Sequence, residues 1–496
     1  MQRKFIRNLA LLIFLNLLVK PFWILGVDRE VQNIVGPGEY GFYFAVLNFS
    51  FLFYILLDLG ITNFNNRNIA QNNQLLNKHL AGIGTLKIIL GFLYAIVIFL
   101  IGWVIGYDQR QLYILTWVGF NQFLLSFILY LRSNLGGLLL FKTDSLISVL
   151  DRVLMIMFCS ILIWTNIFGG QFHIEWFVYA QTLSYLITAL IAFIAVLSKS
   201  GKLKMSWNVP FFLMILKKSL PFALLVLLMS FYNRIDPVLI ERLLPGELGE
   251  SQSGVYAQAF RLLDAGQNFS YLFAVLLLPI FSKMLKDKQP VDQLVQMSFS
   301  LIISGALIIL VVSFFFGNEI MKLMYTQGEG ESPDAYLERI GQSALIFRLL
   351  MFSLLAISAT YIFGTLLTAN NSLKQLNGVA LVGLILNLVL NFLLIPGHLA
   401  LGAAIANVSA QGITALIQVL LAYKMISLRF DRGFYIRLSG FVFLLFMLGL
   451  AAVHLFNLDW KLACGLMITT ALFIAFVLRL IPVRAFISML KSQPKI

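Results

Sequence analysis

This sequence has little charge, little cysteine and little histidine. Charged residues make up 12% of the 496 positions against 60% hydrophobic residues, too few to clothe a soluble domain of that size. The two cysteines, Cys159 and Cys464, both lie in apolar runs and read as small core residues, which argues against a disulfide framework or a thiolate metal centre. Four histidines, His79, His173, His398 and His454, are scattered without helical metal-ligand spacing, so no metal site is expected. Inner connections lack the paired carboxylates, or the His beside an acid, that a membrane-embedded glycosyl- or acyltransferase needs at a membrane face. The chain is therefore not expected to be an enzyme.

What is abundant is long apolar sequence. Mean hydropathy is +0.89, and uninterrupted apolar runs of about twenty residues recur, the length an α-helix needs to cross a bilayer. A barrel would show short alternating segments instead. The expected class is an all-α polytopic membrane protein of about 14 transmembrane helices. The net charge of +14 does not point to nucleic acid, because most Lys and Arg fall in alternate connections or at the termini, as in the positive-inside bias of membrane proteins. Both termini are then cytoplasmic. The run from Phe5 to Val27 is interrupted by Lys20-Pro21 and is read as a retained first span rather than a signal peptide, followed by an outer loop that contains Gly36 to Gly41. A strongly basic stretch, Lys199 to Lys218, divides the chain: 1–198 as an N-terminal six-helix lobe, 199–219 as a cytoplasmic linker, 220–428 as a second six-helix lobe, and 429–496 as two extra helices with a basic tail.

The most informative stretch is Phe231-Tyr232-Asn233-Arg234-Ile235-Asp236-Pro237 in the seventh span. Ionised side chains in hydrocarbon are expensive and normally face a bundle interior or a wet cavity. Arg234 and Asp236 are two apart, a spacing that does not bring side chains together on a helix. Pro237 leaves the Asn233 carbonyl without its helical partner. Weak internal similarity, Gly41-Phe42-Tyr43 with Gly254-Val255-Tyr256 and Gly137-Leu138-Leu139 with Gly364-Thr365-Leu366, supports two parallel six-helix repeats. The alignment sets Pro21 opposite Pro237 and Lys20 opposite Asp236. Two kinked helices with opposite charges then suit oppositely charged partners, against the plainer alternative that Lys20 snorkels to the interface and Asp236 makes a structural bridge.

Gly36-Pro37-Gly38-Glu39-Tyr40-Gly41, Asn66-Arg67-Asn68-Ile69-Ala70, Arg234-Ile235-Asp236, and Asn387 to Pro396 with Gly402-Ala403-Ala404 resemble the polysaccharide flippases. That family belongs to the superfamily that also holds lipid II flippases and multidrug and toxic compound extruders. The resemblance implies two lobes around a central cavity open alternately to each side of a bacterial inner membrane. It also implies a polyprenyl-diphosphate-linked oligosaccharide as the partner, carried for surface polysaccharide synthesis. A diphosphate needs charge-assisted donors, and the residues so placed are Lys20, Arg67 and Arg261, with Arg234 and Arg348 behind them; Arg67 equally marks an inner helix end. Some relatives couple transport to a cation in the second lobe. Asp236 with Asn233, Asn387 and Asn391 matches such a site for Na⁺ or a proton, although paired asparagines also serve as interhelical hydrogen-bonding glue. No other cofactor is expected. The rival functions are lipid II flipping and multidrug antiport on the same fold; a passive channel and a membrane transferase stand further off.

Overall fold

In the computed structural model the described residues are 15–16, 18–62, 76–165, 172–200, 209–454 and 459–481, with Asn65, Asn66, Ile69, Asn72 and Gln74 between the second and third stretches. All of their regular structure is helical, as apolar spans require where no water is available to pair the backbone. Ten helices among the described residues are long and apolar enough to cross a membrane, and a pair bent by 50°, Ala223–Arg234 and Asp236–Leu243, brings the number to eleven. One more span is hidden in Leu373–Ile426. Its 54 residues would rise about 80 Å as one helix, more than twice the thickness of a bilayer core. Leu399 breaks it with φ of 54°, and a β-carbon added to Gly402 would fall 2.6 Å from the Leu394 carbonyl oxygen. The chain doubles back there, which explains why Pro396 and Gly402 belong to one motif. The expected class, an all-helical multi-pass membrane protein, is borne out.

The chain divides into two compact units, Met1–Gly254 and Val255–Ile496. The first span of the first unit does not end near residue 27 as expected. It runs through a π-helical turn, Trp23–Asp28, which begins two residues after Pro21, and continues into α1, Arg29–Leu52. The expected outer loop at residues 36–41 is reduced to one kinked residue. Gly36 adopts φ of 78°, open to glycine without cost, and Pro37 starts the next arm, where its missing N–H is no loss. After α1, a 3₁₀ turn, Tyr54–Leu57, ends the arm. There follow α2 (Leu76–Val104), α3 (Gln109–Gly137), α4 (Phe141–Trp164), α5 (Ile174–Leu197), α6 (Val209–Arg234), α7 (Asp236–Leu243) and the first residues of α8 (Gly246–Lys286).

The remainder of the Gly36 motif serves packing. Glu39 receives two hydrogen bonds from Arg110 at 2.9 and 2.6 Å, and Arg110 also reaches Glu175 at 3.0 Å. Gly41 and Gly254, matched to each other in the sequence, lie at one close crossing. A β-carbon on Gly41 would stand 1.9 Å from the Glu250 carbonyl oxygen, and one on Gly254 would stand 1.9 Å from that of Pro37. The Ser253 hydroxyl donates to the Gly41 carbonyl at 3.1 Å. At α3, Asp108 and Gln111 form a reciprocal capping box. Gln111 then donates its free amide to Glu241 of α7 at 2.8 Å, so a helix cap also tethers the bent span.

In the second unit, α9 (Asp292–Met324), α10 (Pro333–Ala369) and α11 (Leu373–Ile426) follow the rest of α8. The last two helices, α12 (Arg432–His454) and α13 (Trp460–Val477), pack on α9: Phe441, Leu445, Met467 and Ala471 join Leu307, Val311 and Phe316 in one apolar cluster. Neutral hydrogen bonds cross this unit's interior. Ser343 donates to Gln258 at 2.6 Å, Ser353 to Asn407 at 2.8 Å, and Ser270 and Ser358 share a bond of 3.0 Å.

Candidate functional site

Asn16 and Lys20 are one turn apart, so they share a face of the first span. That face meets α4, where Ser148 accepts a hydrogen bond from Asn16 at 3.1 Å. Asp151 and Arg152 follow Ser148 at the third and fourth positions, which keeps them near the same stripe. Arg152, Asp151 and Arg132 are all near enough to act on Lys20 electrostatically. Arg152 pairs with Asp151 at 3.6 Å, and its guanidinium lies 5.7 Å from the Trp23 ring and 5.9 Å from the Tyr185 ring, within reach of cation–π attraction. Arg132 at the end of α3 bonds Asp144 at 2.7 Å; Asp144 lies in the first turn of α4, where a carboxylate also favours the helix dipole. Three cations thus face two carboxylates on apolar spans among the described residues. Such a site favours a compact anion with several acceptor oxygens, because arginine offers paired donors in a fixed plane and lysine a mobile point charge.

The other residues singled out in the sequence are not all gathered here. In the first unit, Arg234 lies 5.5 Å from the Phe51 ring, Asn233 precedes it, half-buried at the end of α6, and Asp236 is fully buried at the start of α7. In the second unit, Arg261 pairs with Asp264 at 3.7 Å. Arg348 runs over Gly317, whose missing side chain leaves room for it: a β-carbon there would stand 3.1 Å from the Arg348 Nε. Asn391 donates to the Asn387 carbonyl at 2.9 Å and to its side-chain oxygen at 3.1 Å, and both residues are fully buried. Arg67 lies outside the described residues.

Sequence reasoning passed over Arg152 and Arg132. The first stands beside Asp151 in an apolar span, the same kind of signal as Arg234 and Asp236 in the seventh; the second lies near the end of α3, where a basic residue looks like an ordinary helix-end charge. Asp28 was missed as well, because the first span was ended one residue too early. It is buried and accepts from the Tyr40 hydroxyl at 2.9 Å and from Gln32 at 3.2 Å.

Fold and site define a polytopic helical protein built like a membrane transporter, with basic residues on its apolar spans. Comparison with solved structures agrees on the fold. The chain is similar to the lipid II flippase MurJ in an inward closed conformation, with a TM-score of 0.69 at 15% identity over 96% of this chain and 100% of that one. It is similar to an inward-facing multidrug resistance MATE family transporter of the MOP superfamily, with a TM-score of 0.63 at 16% identity over 82% and 94%. It is similar to a MOP superfamily transporter from Pyrococcus furiosus, with a TM-score of 0.60 at 18% identity over 86% and 96%. The sequence profile of the family described as Polysaccharide biosynthesis protein matches residues 6–285, and the chain belongs to that family. A curated relative, capsular polysaccharide biosynthesis protein CapF of Staphylococcus aureus, is 26% identical over 235 residues, 46% of this chain. The match spans about half of that relative's length, 55%.

Proposed function

We propose that this protein carries a polyprenyl-diphosphate-linked oligosaccharide across the cytoplasmic membrane by alternating access, for the synthesis of a surface polysaccharide. The observation that carries the reading is the cluster of Lys20, Arg132 and Arg152 on apolar spans of a chain in a polysaccharide biosynthesis family. A diphosphate crossing hydrocarbon has to exchange its water for fixed donors. In this reading Arg152, held by Asp151 and flanked by Trp23 and Tyr185, presents its fork to one phosphate while Lys20 follows the other. Arg67, Arg234, Arg261 and Arg348 remain candidates for contacts along the path, and Asp236 with Asn233, Asn387 and Asn391 for a coupling Na⁺ or proton. The alternating basic connections support a chain with both ends on the cytoplasmic side.

The test is reconstitution in vesicles and a count of lipid-linked oligosaccharide moved between leaflets. Lys20→Gln and Arg152→Gln are each expected to slow flipping at least tenfold, and Arg152→Lys to restore only part of it, because an ammonium lacks the planar fork. Full flipping by the double variant would overturn the role of the cluster. Lipid II and an organic cation run in the same vesicles separate the two rival functions, and imposed sodium or proton gradients decide the coupling.

A further inference from the structure

In the second unit, one face of α8 changes character along its length. Arg261, Asp264, Gln267, Asn268 and Tyr271 follow one another at helical spacing and share that face. Val275 and Leu278 carry it onward as apolar side chains, 51% and 38% exposed. The polar part lies near the middle of a helix long and apolar enough to cross a membrane. Charged and amide side chains there are costly against acyl chains and belong beside a wetted path.

The residues of this row hold one another. Asp264 is 7% exposed; one of its carboxylate oxygens lies 3.7 Å from Arg261 and the other accepts from the Gln267 amide. Asn268 donates to the Asp264 carbonyl at 2.7 Å. Gln267 and Asn268 are themselves only half-buried. A second helix closes the far end. At Gly266 an added β-carbon would stand 3.1 Å from the Leu354 side chain of α10, and Ser270 bonds Ser358 of the same helix at 3.0 Å. Beside that bond Tyr271, 49% exposed, meets Tyr361 of α10 edge to face, with ring centroids 6.0 Å apart.

Charge decides the class of ligand. One cation against one carboxylate leaves the row neutral, so it favours neither a diphosphate, as the cluster of Lys20, Arg132 and Arg152 does, nor an organic cation. A carboxylate has two oxygens with about four lone-pair sites, and each amide side chain both donates and accepts. Those groups exchange hydrogen bonds with neighbouring hydroxyls, while a tyrosine ring covers an apolar C–H face. Together they suit an uncharged polyol with flat C–H faces, which is what a sugar ring is. From Arg261 to Tyr271 the row rises about 15 Å, room for a short oligosaccharide.

We propose that Asp264, Gln267, Asn268, Tyr271 and Tyr361 form a binding site for the uncharged sugar rings of the carried lipid, with Arg261 as the residue that positions Asp264. The inference rests on the transport reading for the source of the sugar, and it does not depend on the basic cluster of the first unit.

Photo-crosslinking of the full chain in nanodiscs tests it. The probe is polyprenyl-diphosphate-linked N-acetylglucosamine with a diazirine on its N-acyl group, and adducts are mapped by peptide mass spectrometry. Adducts are expected on residues 261–271 of α8 or at Tyr361, falling about fivefold or more in Gln267→Leu with Asn268→Leu, because a site built for hydroxyls discriminates through the hydrogen bonds it offers. Adducts of the unmodified protein confined to other helices, or an absence of adducts, overturn the proposal without any variant. In vesicles the same double variant is expected to lower the movement of the sugar-bearing lipid relative to sugar-free polyprenyl diphosphate by about fivefold or more; an unchanged ratio counts against the site. Failure of the unmodified protein to move either lipid overturns the transport reading instead, and the adduct map still decides the sugar site.

Discussion

The two units solve the problem of polar groups in an apolar interior differently. In the first, the polar groups are charged: Lys87 with Asp58, Arg152 with Asp151, and Glu241 with Arg242 all sit on or between its helices, and Asp28 is buried beneath Tyr40. In the second, bonds between serines, asparagines and glutamines cross the interior, beside two ion pairs, Arg261 with Asp264 and Arg339 with Glu331, neither of whose cations is as deeply buried as Lys87. A buried ion pair gives up strong hydration and holds together through geometry, so losing one partner leaves an uncompensated charge. A neutral pair leaves a much smaller deficit. The first unit is therefore most brittle at Lys87 and Asp58, and the serine and asparagine bonds of the second are the tolerant ones.

The sharpest break of this comparison is Asp58→Ala, which strands Lys87 and is expected to cost about 4 kcal/mol. The double change Asp58→Leu with Lys87→Met should recover most of that loss in thermal unfolding. If single and double variants melt alike, the pair is not a coupled unit. Next comes Gly41→Val. The Glu250 carbonyl stands where its β-carbon belongs, so backbone must move at the crossing, and roughly 3 kcal/mol of stability is expected to go. Gly38→Ala, three residues away and with nothing within 4 Å of the added carbon, is the matched control and should differ little from wild type.

In the second unit, Ser353→Ala removes the bond to Asn407 and is expected to cost about 1 kcal/mol. A loss as large as that of Asp58→Ala would remove the distinction between the units. The smallest effect is a pH response at the turn before α10. Arg339 donates to Glu331 at 2.7 and 2.9 Å, which holds that carboxyl below the usual glutamate range, with the Gly328 N–H adding to it. A folded-state value below the unfolded one gives stability that is present above the unfolded value and lost as pH falls through the folded one. Amide exchange over residues 325–332 should therefore quicken below about pH 4, and Glu331→Gln should abolish that slope.

Much of the organisation was legible because it follows from composition and period. The apolar runs, the spans and the Asp236-Pro237 bend are local: each is decided by whether a short segment can pair its own backbone in lipid. The Gly36 motif was visible as a motif but was read as a loop, since nothing in the chain by itself says that Arg110, Asp28 and Glu250 will gather around it. The Gly137 to Gly364 match is out of step by five residues with the turns that close the corresponding helices, where Leu139 and Asn371 both take φ of 60°. Turn conformation is set by the carbonyls left over at a helix end, and residue identity followed it only loosely.

Sequence alone determined that this chain is helical and crosses a membrane many times, and that its basic residues gather in alternate connections, because those properties are sums over neighbouring residues. Tertiary structure decided which embedded charges act together. Lys20 comes within electrostatic reach of Asp151 and Arg152 across about 130 residues of chain, and Lys87 pairs with Asp58 across a helix break; arrangements of that kind depend on which faces two helices turn to each other, a choice that only packing the whole unit makes.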